Sequence, residues 1–198
     1  LKKKLELSEI GRLKQMSLLV CPDNKCYGKK KGITGIMRKI TKERIEFGGT
    51  KRKTKITQYK YRDAGDKQFL KWDPVGEKPL ENYSIKFAKT IESIHNFIKS
   101  GNKGIIFVYC SQIEFGIIPF CLALEQYGLQ NYSGDALLDP EGLNIKPISY
   151  NGAQYVPGQS FYPAQYIMIT GKTPINTRDD MIHDSKQPQN IDGSNIRV

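Results

Sequence analysis

From Ser84 onward, apolar residues recur with a helical period. Phe87, Ile91, Ile94 and Ile98 are spaced four, three and four apart, which predicts a helix over 84–99 with Ser84 as its N-cap and Gly101 as its stop. The next run, Gly104 to Tyr109 (GIIFVY), is continuous and short, the pattern of a strand buried on both faces. Pro119 suits the first turn of a second helix, 118–127, which Gly128 closes. Tyr166 to Thr170 (YIMIT) predicts another buried strand, Gly171 a turn, Arg178 to His183 the start of a helix, and Ile196 to Val198 a further strand. Helices alternating with strands imply parallel pairing and an α/β fold. Residues 104–109, 166–170 and 196–198 should therefore be neighbouring parallel strands, covered by helices 84–99 and 118–127.

Elsewhere the periodicity lapses. Residues 130–163 hold Pro140, Pro147, Pro157 and Pro163 with Gly134, Gly142, Gly152 and Gly158, a stretch too long for an ordinary connection, and they read as an insertion. Before Ser84 the pattern is irregular. Lys55 to Tyr61 (KITQYKY) alternates like a short strand, Ile33 to Phe47 reads as another hairpin, and Lys71 to Pro79 (KWDPVGEKP) as a linker. The chain accordingly divides into a basic, irregular or β-rich region over 1–80 and an α/β region over 81–198.

Charge sharpens that division. Residues 28–62 carry thirteen basic and two acidic groups, +11, which equals the net charge of the whole 198-residue chain. A concentrated cationic patch suits a polyanion, since each neutralised phosphate releases counterions; the alternative is a solvated linker. Lys29–Lys31 and Lys51, Arg52 and Lys53 are the densest clusters, and Tyr59 and Tyr61 interleave with Lys60 and Arg62. No apolar run is long enough to span a bilayer, and LKKKLELSEI lacks the apolar stretch of a secretory signal. Cys21 and Cys26 have four residues between them, and with His95 and His183 scattered they make a poor zinc site; reduced thiols and an intracellular location are expected. A missing initiator Met and the strand-like Ile196–Val198 read as a chain cut at both ends.

Residues 104–129, GIIFVYCSQIEFGIIPFCLALEQYGL, resemble helicase motif IV and its following helix. The likeness is to helicase-like proteins of large nucleocytoplasmic DNA viruses, the group that includes the small subunit of the poxvirus early transcription factor. It rests on Tyr109, Gly116, Pro119, Leu124, Glu125 and Gly128, with Cys110 where that family has Ser. YIMITGKTPINTRDDMI, residues 166–182, is similar to the next strand–glycine–loop–arginine–helix stretch of superfamily 2 second lobes, and IDGSNIRV to the strand entering motif V.

The resemblance covers residues 83–198 and implies the first part of a RecA-like second lobe. Its full-length protein would be an ATP-dependent helicase using ATP and magnesium, viral and tied to transcription. Its partners would be nucleic acid, DNA ahead of RNA, and the first helicase lobe of the same chain, with no membrane. This chain has no GxxxxGK[ST] loop, no Asp-Glu pair and no arginine-finger motif, so it is expected neither to bind nor to hydrolyse ATP alone. Parallel sheets bind ligands at the C-terminal ends of their strands. That rule points to Tyr109, Cys110, Ser111 and Gln112, and to Gly171, Lys172 and Thr173, as a grip on phosphates, with Lys51, Arg52 and Lys53 adding charge. For Tyr109 and Cys110 a core strand end is an equal reading, and for Arg178 a salt bridge within the lobe is preferred. Two other functions fit parts of the pattern: a non-enzymatic basic nucleic-acid-binding module on an α/β scaffold, and a flavodoxin-like small-molecule domain, for which YCSQIEFG has too few glycines.

Overall fold

The computed structural model describes residues 17–21, 32–46, 52–62, 69–141, 143–158 and 160–198. Strands β1 (Met37–Glu46) and β2 (Arg52–Tyr61) form an antiparallel hairpin in which Met37 faces Tyr61 and Glu46 faces Arg52. The residues around Ile33 to Phe47 therefore do not make a hairpin of their own. They supply the partner of the KITQYKY strand, because Met37, Ile36 and Ile33 at the base are pulled into the core with Tyr59 and Tyr61.

A short helix α1 (Leu80–Tyr83) leads into α2 (Ile85–Lys99). Ser84 caps α2 as its sequence predicts, its Oγ accepting the Phe87 N–H at 3.1 Å, and Phe87, Ala88, Ile91, Ile94 and Ile98 form the buried stripe. Helix α3 (Ile118–Tyr127) has Pro119 in its first turn and ends at Gly128, whose φ of 120° favours glycine. Nine of its ten residues are buried.

A small parallel sheet lies beside these helices. Strand β3 (Gln130–Asn131) pairs with β4 (Gln165–Tyr166), and a parallel bridge from Gln165 to Ile196 adds the segment at 196–198. Residues 104–110 join on the far side through the Ile106 N–H, which donates to the Arg197 carbonyl at 2.8 Å. Ordered strand pairing is thus shorter than the apolar runs imply, and β3 comes from the stretch read as an insertion.

The run from Ile105 to Tyr109 also departs from a strand buried on both faces. Ile106 and Val108 pack on the core, whereas Ile105, Phe107 and Tyr109 are 44, 88 and 79% exposed. An extended chain turns alternate side chains to opposite faces, and only one face is covered here among the described residues.

The 130–163 stretch stitches the molecule together. Its start is β3, and its Leu138 bridges to Tyr59 of β2, with Tyr59 N–H donating to Leu137 O at 2.7 Å and Asp139 N–H to Tyr59 O at 2.9 Å. Nor does 69–80 behave as a free linker. Phe69, Leu70 and Trp72 are buried, and Trp72 packs against His95 and Tyr127. One apolar cluster runs from Leu19 through the hairpin to α2, α3 and Tyr166. Helix α4 (Ile175–Ser185) carries no buried residue. Cys110 and Cys121 are free thiols, while Cys21 is disulfide-bonded, a departure from the expectation of reduced cysteines throughout. No described helix is long and apolar enough to cross a membrane.

Candidate nucleic-acid interface

Two loops meet at the C-terminal ends of the parallel segments. The first follows Tyr109. Cys110 turns back, its Sγ donating to the Gln112 carbonyl at 3.4 Å, and the next five residues, Ile113–Ile117, form a π-helical turn closed by the Ile117 N–H to Gln112 O at 2.9 Å. The wide turn buries Phe115 and Gly116 while Glu114 stays in solvent. Gly116 has no freedom to be anything larger, because a Cβ there would lie 2.3 Å from Cys110 Sγ. Turns of this kind recur at functional sites.

The second loop follows β4. Thr170 N–H donates to Thr173 Oγ1 at 3.0 Å, Lys172 N–H to Thr170 Oγ1 at 3.2 Å, and Thr173 N–H to Thr170 O at 3.0 Å. The hydroxyls and two of the amides that a sequence reading assigns to phosphates are therefore spent on the turn itself. Their effect is to hold Lys172 in a fixed loop with its ammonium in solvent.

The predicted site residues separate into three places. Tyr109, Cys110, Ser111 and Gly171 line an apolar groove of about 690 Å³, which continues along Phe120, Met181 and Ile182. Arg178 also lines it and pairs with its neighbour Asp179 at 3.7 Å, a contact internal to α4. Lys172 faces instead a more polar cleft of about 650 Å³, together with Gln112, Glu114 and Phe115 from the first loop and Lys39 and Tyr59 from the hairpin. Thr173 lines neither and serves its own turn. Lys51 lies outside the described residues, as do Lys29–Lys31 and the side chains of Arg52 and Lys53. The backbone of Arg52 is seven residues along β2 from Tyr59, roughly 23 Å at the usual rise of a strand.

Lys39 stands apart from the dense clusters and was missed, although its register opposite Tyr59 puts it at the cleft. Other hairpin cations are already engaged. Lys42 pairs with Asp139 at 3.5 Å, and Lys60 with Asp139 at 3.8 Å and with Glu141. Inside the cleft, burial pushes the Tyr59 phenol above its ordinary range, and the charge of Glu114 adds to the effect. The phenol therefore stays protonated at neutral pH. Among the described residues no group of three or more His, Cys, Asp or Glu is placed to hold a metal ion.

The geometry defines a mixed α/β protein with a small parallel sheet and a cationic cleft at the strand ends. Comparison adds a relative: the chain is 24% identical over 163 residues to a protein of Acanthamoeba polyphaga mimivirus named "Putative ATP-dependent RNA helicase". The match takes in 72% of this chain and 14% of that protein, so it spans about one seventh of the relative's length. It supports a helicase-like relationship. No protein-family model matches, and no solved structure does.

Proposed function

We propose that this chain is the nucleic-acid-binding part of a RecA-like second motor lobe in an ATP-dependent superfamily 2 helicase or translocase. The observation that carries the reading is the convergence of two loops, after Tyr109 and after Thr170, at the C-terminal ends of the parallel segments, with Lys172 held on a hydrogen-bonded turn. The relative's printed name supports it, as does the sequence resemblance over 83–198. The whole protein would close two lobes on ATP and magnesium, and each closure would shift its grip along one strand. This chain would supply one grip, through phosphates and without reading bases. DNA and RNA are both open to such a grip, so the choice between them belongs to direct competition.

The test is a salt titration of single-stranded oligonucleotide binding. Lys172→Ala should flatten the slope of log affinity against log salt by about 0.7, the share of one phosphate contact on a single strand. An unchanged slope would overturn the reading. The purified chain should show no nucleic-acid-stimulated ATP turnover, because it lacks a phosphate loop, and measurable turnover would place nucleotide chemistry in residues not identified here.

A further inference from the structure

The hairpin's two faces carry different charge environments. In an antiparallel pair, residues directly opposite share a face and successive pairs alternate. Lys42 and Lys60 lie on one face, turned to Asp139 and Glu141 of the 130–163 stretch, which neutralise them. Lys39 and Tyr59 lie on the other, next to the pair Met37 and Tyr61, both locked in the core. Tyr61 donates its phenol O–H to Gln126 of α3 at 3.0 Å and packs edge-on against Phe69. A residue two positions along from such an anchor is held in place by its backbone. Lys39 therefore has a fixed origin at the cleft, which Lys172, Gln112, Glu114 and Phe115 also line. Neither lysine makes an ion pair with a described residue.

We infer that the β1–β2 hairpin is the second wall of one phosphate-binding cleft, in which Lys39 and Lys172 grip the same single strand and Glu114 weakens that grip. This rests on the reading of the strand-end loops as a nucleic-acid site and adds the partner wall and the cation that the hairpin contributes. Two lysines that line one cleft, neither ion-paired with a described residue, can take neighbouring phosphates of a strand. The Glu114 carboxylate in the same lining repels the same phosphates, as a motor that must release its track on every cycle requires. The basic hairpin is then a directional device with one working face. The backbones of Arg52 and Lys53 lie on β2 at the end away from Tyr59.

The experiment uses the full 198-residue chain and a short fluorescent oligothymidine, titrated with salt, for Lys39→Ala, Lys172→Ala, the double variant, Glu114→Gln and Arg38→Ala. Arg38 is the control: it is exposed, adjacent to Lys39, of the same charge and on the opposite face. Lys39→Ala and Lys172→Ala should each flatten the salt slope by about 0.7, and the pair by about 1.4. Arg38→Ala should leave the slope unchanged, and Glu114→Gln should tighten binding at low salt. Thermal melts check that each variant is folded. If Lys172→Ala flattens the slope and Lys39→Ala behaves like Arg38→Ala, the hairpin wall is wrong and the strand-end site stands. If neither lysine changes the slope, the strand-end site fails and the cleft with it. Glu114→Gln binding no tighter than wild type would remove the role given to Glu114.

Discussion

Gly116 and Cys110 show how a motif is written by packing. The glycine is required because the thiol folds back over the π turn, leaving 2.3 Å for any Cβ. Gly116→Ala should destabilise the fold by about 1–3 kcal/mol, the usual cost of forcing atoms into a filled space. Cys110→Ala in the same chain should recover most of the loss, since it removes the atom that clashes. A double-mutant cycle by denaturant unfolding measures this, and additive losses would show that the glycine matters for another reason. His95 is a second informative residue. Its Nδ1 lies 2.9 Å from the Tyr127 hydroxyl, and Trp72 packs against its ring. Burial, then the charges of Lys99 and Lys78, lowers its pKa below the ordinary histidine range, while burial raises that of Tyr127, so a protonated phenol and a neutral ring share the hydrogen bond. The unfolded chain then binds a proton more readily than the folded one. The stabilisation is complete above about pH 6.5 and is lost as pH falls through the depressed folded value. His95→Gln should flatten the decline in melting temperature between about pH 7 and pH 5, and parallel curves for the two proteins would contradict the assignment.

At the scale of elements, the helices were the legible part. The stripe of α2, the Ser84 cap, Pro119 and Gly128 are local signals, and each element stands where they put it. What the sequence hid is non-local. Nothing in Ile33 to Phe47 states that its partner is residues 52–61, and nothing in a proline- and glycine-rich stretch states that Gln130 and Leu138 extend two different sheets. The apolar run at 104–109 misled for a related reason: burial on both faces depends on what lies across each face, which a run of residues does not encode. The candidate site was half visible. The strand-end rule found Lys172, whereas Lys39 needed the hairpin register. One buried charge explains how the 130–163 stretch is held. Glu125 on α3 accepts the Leu137 N–H at 2.8 Å, the Leu138 N–H at 2.6 Å and the Tyr166 O–H at 2.8 Å. Burial raises its pKa, and those three donors oppose the rise. Glu125→Gln keeps the shape but turns an amide N–H₂ toward one backbone donor. It should cost about 1–3 kcal/mol, the penalty for an unsatisfied buried group. Limited proteolysis should then cut within 130–163 sooner than in the wild type, and an unchanged cleavage rate would mean that the stretch is secured elsewhere.

For the whole molecule, the charge boundary and the packing boundary do not coincide. Charge and irregular patterning divide the chain near residue 80, yet the apolar cluster runs across that point without a break. Met37, Tyr59, Tyr61, Phe69, Leu70 and Trp72 are all buried from the N-terminal side. On the other side Arg197, 2% exposed, reaches the carbonyls of Gly104, Asp192 and Asn102, so it fastens the 104–110 segment to the strand at 196–198. Removing residues 1–80 would leave that fastening intact and strip the facing apolar layer from α2 and α3. At about 1.5–3 kcal/mol for each large side chain buried, six such losses come to about 9–18 kcal/mol, as large as the roughly 5–15 kcal/mol by which a domain is stable. The lobe alone, residues 81–198, should therefore keep helical far-UV dichroism, lose near-UV signal and cooperative melting, and bind a dye specific for exposed apolar surface. A sharp thermal transition with no dye binding in that fragment would show that the α/β part is self-sufficient. The hairpin would then be an appendage resting on a complete core, and the fixed placement of Lys39 at the cleft that Lys172 lines would lose its physical basis.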